Sequence, residues 1–346
     1  MQPLITGIQQ VGIGVVNAQQ AKHYYKALFG MDVLVFEDKA EASLMKQYTG
    51  NQVHSREAIL TLNMQGGGGF EIWQFESRSP AYPSNKPAYG DLGIYAVKMR
   101  SCDLEKAVQG VDAYSEIKQT PAGQKSTWLE DANGNQFQVI EYHQRFKSTC
   151  HKVGGVLGVV IGVSNIERSI AFYRDVLGLT EIVYDETGVF TDVPSPGIEV
   201  NQYRRVLLRK KYTPIGAFSK LLGDIEVELV QSIDRQPATI YKNRYWGDCG
   251  FIHVCFDVND MNALKQKSTA HAFPFTVDSA DSFSMGTSAG RFAYVEDPDG
   301  TLIELVETHK VPIFKKLNWY FDLKKRRNKK PLPDWLIGMM ALSKVK

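Results

Sequence analysis

Two stretches decide the fold: NAQQAKHYYKALFGM (17–31) and NIERSIAFYRDVLGL (165–179), separated by a constant offset of 148 residues. Each follows an apolar strand pattern, QVGIGVV (10–16) in one case and GVVIGVS (158–164) in the other. Each then reads as a helix, with Asn17 or Asn165 as N-cap, apolar positions at helical spacing, and Gly30 or Gly178 at the C-terminal end. The repeat continues downstream: FEIWQ (70–74) matches VELVQ (227–231) at an offset of 157, and WLEDANG (128–134) matches YVEDPDG (294–300) at 166. An offset that grows only between elements means residues inserted in loops, where they are tolerated. The chain therefore divides into two homologous halves, 1–150 and 151–309, followed by a tail, 310–346.

Each half is itself bipartite. In the second, a strand (156–163) and a helix (166–177) precede strands near 181–184, 205–210 and 225–231. The order then restarts with strand 251–258, helix 260–269 and strands near 273–277, 291–296 and 302–306. That is β-α-β-β-β written twice. Strands grouped behind one helix suit an α+β fold better than the strict alternation of a doubly wound sheet. The DANG (131–134) and DPDG (297–300) segments are hairpin signals between the last two strands of each half.

Composition excludes several classes. The 346 residues are 43% hydrophobic and 23% charged, the balance of an ordinary globular chain. No run approaches the roughly 18 apolar residues of a spanning helix, and the N-terminal residues lack a basic, cleavable leader pattern. Four cysteines are too few for a disulfide scaffold, so a reduced, cytoplasmic protein is expected. Cys249 and Cys255 flank His253, and strand parity can place Cys255 beside His253, but a lone C-x5-C is a weak metal signal. The GGGG run (66–69) lacks a following Lys-Ser/Thr and helix, so it reads as a turn and not a phosphate loop. The tail holds eleven Lys/Arg and two acids, a net +9, which leaves the body at −7 and argues against nucleic acid as its partner.

The segments at 163–179, 252–260 (IHVCFDVND) and 294–305 (YVEDPDGTLIEL) together resemble the vicinal oxygen chelate superfamily of glyoxalases, epimerases, extradiol dioxygenases and bleomycin-resistance proteins. The resemblance covers about 1–309. It implies four βαβββ modules in two tandem halves, each curling a sheet around a cleft, with a divalent metal (Zn, Ni, Mn, Fe or Mg) held by a His or Gln, Glu, His, Glu pattern. Carried over position by position, the second half supplies Glu228, His253 and Glu304 as metal ligands, with Gly158 at the first position. The first half offers Gln10, Glu71, Ile94 and Gln138, and is expected to be a degenerate half that binds no ion. Read singly, each residue could instead be a satisfied core histidine or a solvent-facing strand glutamate.

Two chemistries compete within the resemblance. In one, a glyoxalase- or epimerase-type isomerase or lyase moves a proton beside a metal-bound carbonyl, with Glu304 as ligand and base and Glu228 as the other carboxylate. In the other, Fe(II) in an extradiol-type site cleaves an aromatic diol with oxygen, which wants two imidazoles and one carboxylate. A third reading is a metal-free ligand-binding protein of the bleomycin-resistance type. The expected partner is a small-molecule substrate, and a homodimer is compatible with the resemblance. The tail, with KKRRNKK (324–330) between two aromatic-rich stretches, is expected to form short helices that fold back on the body; contact with an anionic membrane surface is the competing reading.

Overall fold

The computed structural model describes residues 4–109, 114–194, 201–280, 283–285, 288–314, 319–323 and 329–346. The first module comprises β1 (Ile5–Gly14), α1 (Ala18–Phe29), β2 (Val33–Glu41), β3 (Ser55–Leu62) and β4 (Gly69–Phe75). The second comprises β5 (Gly93–Ser101), the short α2 (Leu104–Val108), β6 (Lys118–Gln119), β7 (Lys125–Glu130) and β8 (Gln136–Glu141). The third follows with β9 (Val156–Gly162), α3 (Ile166–Asp175), β10 (Glu181–Gly188), β11 (Tyr203–Lys210), the one-turn α4 (Ser219–Leu222) and β12 (Ile225–Ser232). The fourth contains β13 (Gly250–Val258), α5 (Met261–Ala270), β14 (Val277–Asp278), β15 (Phe283–Met285), β16 (Ser288–Glu296) and β17 (Leu302–Phe314). Four α+β modules are thus present, as the repeat implies.

Local chemistry explains the repeat. Asn17 and Asn165 cap their helices by accepting from the backbone N–H groups of Gln20 and Arg168. Asp131 Oδ1 accepts from the backbone of Asn133 and Asn135, and Asp297 Oδ1 from that of Asp299 and Thr301, which builds the same turn twice. The Tyr25 and Tyr173 hydroxyls then donate to Asp131 and Asp297, so the helix of the odd module in each half is tied to the last hairpin of the even one.

The sheets are assembled differently. One runs β14-β16-β17-β13-β1-β4-β3-β2; the other runs β10-β11-β12-β9-β5-β8-β7-β6. At the centres, β1 pairs antiparallel with β13, and β5 with β9. The first module therefore shares a sheet with the fourth, and the second with the third. Each sheet draws one module from each sequence half, rather than both from one. Strand alternation sends Val11, Ile13, Val254 and Phe256 of the first sheet, and Val97, Met99, Val159 and Ile161 of the second, into a common core with Tyr25, Phe29, Phe172 and Tyr173 of α1 and α3. The opposite parity (Gln10, Gly12, His253, Cys255; Ala96, Lys98, Glu226, Glu228) lines the other faces.

The tail is only partly helical. β17 continues to Phe314 and pairs with β18 (Trp319–Asp322), and the one helix described beyond it is α6 (Asp334–Gly338), followed by a 3-10 turn (Met339–Leu342). Leu332, Leu336 and Ile337 bury against Val33, Leu62, Met64, Leu221 and Leu222, so this part folds back on the body. Backbone bonds from Leu34 to Ser343 and from Val345 to Asp32 fasten the last residues to the start of β2. Most of the basic run, 324–328, lies outside the described residues.

Candidate metal centre

The pairing of β1 with β13 brings together side chains that lie far apart in sequence. Among the described residues, Glu71, His253 and Glu304 form the one group of acidic, His or Cys side chains whose ligand atoms all lie within 4.8 Å of one another. His253 Nε2 is 3.1 Å from Glu304 Oε2 and 3.3 Å from Glu71 Oε2. Gln10 Nε2 donates to Glu304 Oε2 at 3.2 Å. All four residues are buried, His253 completely. Each comes from the first or last strand of its module: Gln10 from β1, Glu71 from β4, His253 from β13 and Glu304 from β17.

Of the three ligands expected from sequence, His253 and Glu304 meet and Glu228 does not. Glu228 lies on β12 of the other sheet, where Arg205 Nη2 stands 2.7 Å and Lys98 Nζ 3.1 Å from its carboxylate and Tyr89 donates to it at 3.1 Å. The place of Glu228 is taken by its counterpart in the repeat, Glu71, because sheet pairing crosses the two halves. The ligand pattern that the second half fills in three positions of four is filled in all four by Gln10, Glu71, His253 and Glu304. Gly158 is no longer a gap in it. A Cβ at 158 would sit 2.0 Å from the Glu226 carbonyl oxygen, so no side chain fits there. In the first sheet the corresponding pair is inverted, with Gln10 opposite Gly69; in the second, Gly158 stands opposite Glu226.

The second sheet supplies cations of its own at the corresponding positions. Its strand register puts Ala96, and not Ile94, at the position of His253: Ala96 pairs with Val160 as His253 pairs with Gly12. Lys98 stands where Cys255 stands, opposite Gln138. Lys98 Nζ lies 3.1 Å from both Glu226 and Glu228, and Arg205, fully buried, also pairs with Asp192 at 2.7 Å. Burial alone would raise the Glu228 pKa, but the Arg205 and Lys98 charges hold it down at about 2. With Arg209, whose Nη2 lies 2.7 Å from Glu226, three cations meet three carboxylates in this cluster.

The first sheet has two carboxylates against a single imidazole. Burial disfavours a charged His253, yet the Glu304 and Glu71 carboxylates raise its pKa to about 9. Glu304 is also opposed by burial, and the charge of His253 beside it keeps its pKa below the usual value. Two atoms of the cluster lack hydrogen-bond partners, His253 Nε2 and Gln10 Oε1. Despite the short distances, neither carboxylate oxygen lies where an Nε2–H could donate to it. A pair of buried carboxylates with an orphaned imidazole nitrogen and an orphaned amide oxygen is a donor set that fits a divalent cation. The surroundings are aromatic: the Trp246 ring lies over the imidazole at 6.5 Å, Tyr294 meets it edge-on at 5.6 Å, and Trp73 packs on Trp246 at 4.5 Å.

Residues 155–305 match the model of the Glyoxalase/Bleomycin resistance protein/Dioxygenase superfamily, and this segment is a domain of that superfamily. Among solved structures, a glyoxalase I mutant from Zea mays superposes with a TM-score of 0.54 at 16% identity, over 87% of this chain and 93% of that one. A protein from Bacillus subtilis assigned as a dioxygenase gives a TM-score of 0.55 at 13% identity, over 88% and 86%. At such identities the likeness is one of fold, and it extends across both sheets. No curated protein matches the chain in sequence. Among the described residues, no helix is long and apolar enough to cross a membrane.

Proposed function

We propose that the chain is a divalent-metal-dependent isomerase or lyase of the glyoxalase type, acting on a small molecule with an enolisable carbonyl. The observation that carries this reading is the buried constellation of Gln10, Glu71, His253 and Glu304 with its two unpartnered donor atoms. It fills the His or Gln, Glu, His, Glu pattern that the sequence resemblance implies. One imidazole with two carboxylates also departs from the two imidazoles and one carboxylate of the facial iron site, which disfavours extradiol-type oxygen chemistry.

Gln10, Glu71, His253 and Glu304 would hold the ion. A divalent ion there supplies Lewis-acid polarisation of a substrate carbonyl. Glu304, kept ionised by its neighbours, is the group that takes a proton from the carbon next to that carbonyl and returns it to the adjacent carbon. Gln10 holds one Glu304 oxygen through its amide, which orients the carboxylate. Glu71 supplies the second negative charge, and His253 anchors the set from the sheet floor. Trp73, Trp246 and Tyr294 belong to one buried cluster beside the ligand set, surroundings that would keep water from the reaction.

The test is Glu304→Gln. Turnover should be abolished while substrate affinity changes far less, because the amide keeps the shape and loses the basicity. Turnover should be independent of oxygen and persist with Zn or Mg in place of a redox-active ion. Oxygen uptake with a catechol that fails with Zn would promote the dioxygenase reading. A protein that binds no divalent ion would promote the metal-free binder.

A further inference from the structure

Building on that metal-site reading, we infer that Tyr294 is a positioning residue that commits His253 to presenting Nε2, and no other atom, to the ion. Its hydroxyl lies 3.2 Å from His253 Nδ1, inside the sheet and 1% exposed. The ring is turned so that Nε2 stands 3.3 Å from Glu71 and 3.1 Å from Glu304, while Nδ1 is the nitrogen beside the phenol. A neutral imidazole has one N–H. An Nε2 that gives its lone pair to an ion leaves that N–H on Nδ1, where the phenol oxygen can accept it. The phenol thus holds the ring's orientation and its tautomer from behind.

The repeat supplies an internal control. At the position of Tyr294, opposite Gln138 as Tyr294 is opposite Glu304, the second sheet has Trp128, whose Nε1 donates to the Asp192 carbonyl. That sheet has Ala96 where the first has His253, and Val160 where the first has Gly12. Gly12 belongs to the same arrangement. A Cβ there would lie 2.5 Å from His253 Cε1 and 2.7 Å from Nε2, so the ring packs flat over a bare backbone. Tyrosine, histidine and glycine occur together beside the ligand set, and the three corresponding positions of the other sheet, Trp128, Ala96 and Val160, hold none of them. A purely structural phenol has no reason to follow the imidazole in this way.

The experiment uses the full-length chain and Tyr294→Phe, which keeps the ring and its packing. Binding of Co2+ and Zn2+ is measured by competition with a chelator, the fold of the metal-free protein by its thermal midpoint, and the state of the imidazole by 15N–1H correlation on His-labelled, Zn2+-loaded protein. Wild type should show metal on Nε2 and a proton on Nδ1. Tyr294→Phe should bind both ions 10–100-fold more weakly, the usual consequence of losing a partner behind a ligand histidine, with the midpoint little changed. Tyr294→Phe binding within twofold of wild type, or metal on Nδ1 in wild type, overturns the role of Tyr294 and leaves the metal site standing. A wild-type chain that takes neither ion overturns both. If Tyr294→Phe is poorly folded, wild-type Zn2+-loaded spectra still decide which nitrogen carries the proton.

Discussion

Glu228→Gln separates the two glutamates that the repeat makes look alike. Glu228 is 1% exposed and sits between Arg205 and Lys98, with Tyr89 as a further donor. The fall of its pKa from 4.5 to about 2 corresponds to about 3 kcal/mol of stabilisation at neutral pH. That matches the about 3–5 kcal/mol expected when one partner of a buried ion pair is removed. The sign follows from the depressed pKa: the contribution is complete above the unfolded value of 4.5 and is lost as pH falls through about 2. Urea unfolding of Glu228→Gln should therefore show a loss of about 3 kcal/mol at pH 7 that narrows progressively below pH 4.5. Metal content should be unchanged. A variant as stable as wild type at pH 7, or one that loses its divalent ion, would refute the assignment of Glu228 to an ion-pair lock.

Asp257 makes the opposite prediction. Burial, reinforced by Glu307 and only partly offset by Thr6 and Gln9, raises its pKa to about 7, so its stabilising share is full below 3.8 and lost as pH rises through 7. Asp257→Asn should melt higher than wild type at pH 8, by up to about 4 kcal/mol, with the two converging near pH 4. A constant difference across that range would contradict the account. Ile337→Ala, in the part of the tail packed on Val33 and Leu62, should cost about 2–4 kcal/mol in urea unfolding without altering metal content. A neutral result would mean that α6 does not support the body.

The module pattern was legible in the sequence because capping asparagines, turn aspartates and period-2 or period-3.6 burial are local signals. Asn17, Asn165, Asp131 and Asp297 each do in the structure what their neighbours in sequence suggest. Strand partnership was not legible. Alternation says which face a residue occupies, but not whether β1 lies against β5 or, more than 230 residues away, β13. FEIWQ (70–74) and VELVQ (227–231) are locally equivalent, so Glu71 was assigned to a degenerate half and Glu228 to the site. The signal that distinguishes them lay in other strands: Lys98 inside the apolar run IYAVKM (94–99) and Arg205 beside VLL (206–208) are cations that buried strands do not hold unpaired. Read as partners, they would have claimed Glu226 and Glu228 and left Glu71 free. The tail's charge suggested its surface, while its contacts with β2 depended on apolar side chains of the first module.

The central claim is that one ion is held across the β1–β13 seam by residues from both halves of the repeat. Metal analysis of purified, Zn2+- or Co2+-reconstituted protein tests it, run on wild type, Glu71→Gln, His253→Ala and Glu228→Gln in parallel. One divalent ion per chain is predicted for wild type and for Glu228→Gln, with the ion lost or bound far more weakly in Glu71→Gln and His253→Ala. An ion that survives Glu71→Gln and disappears with Glu228→Gln would contradict it.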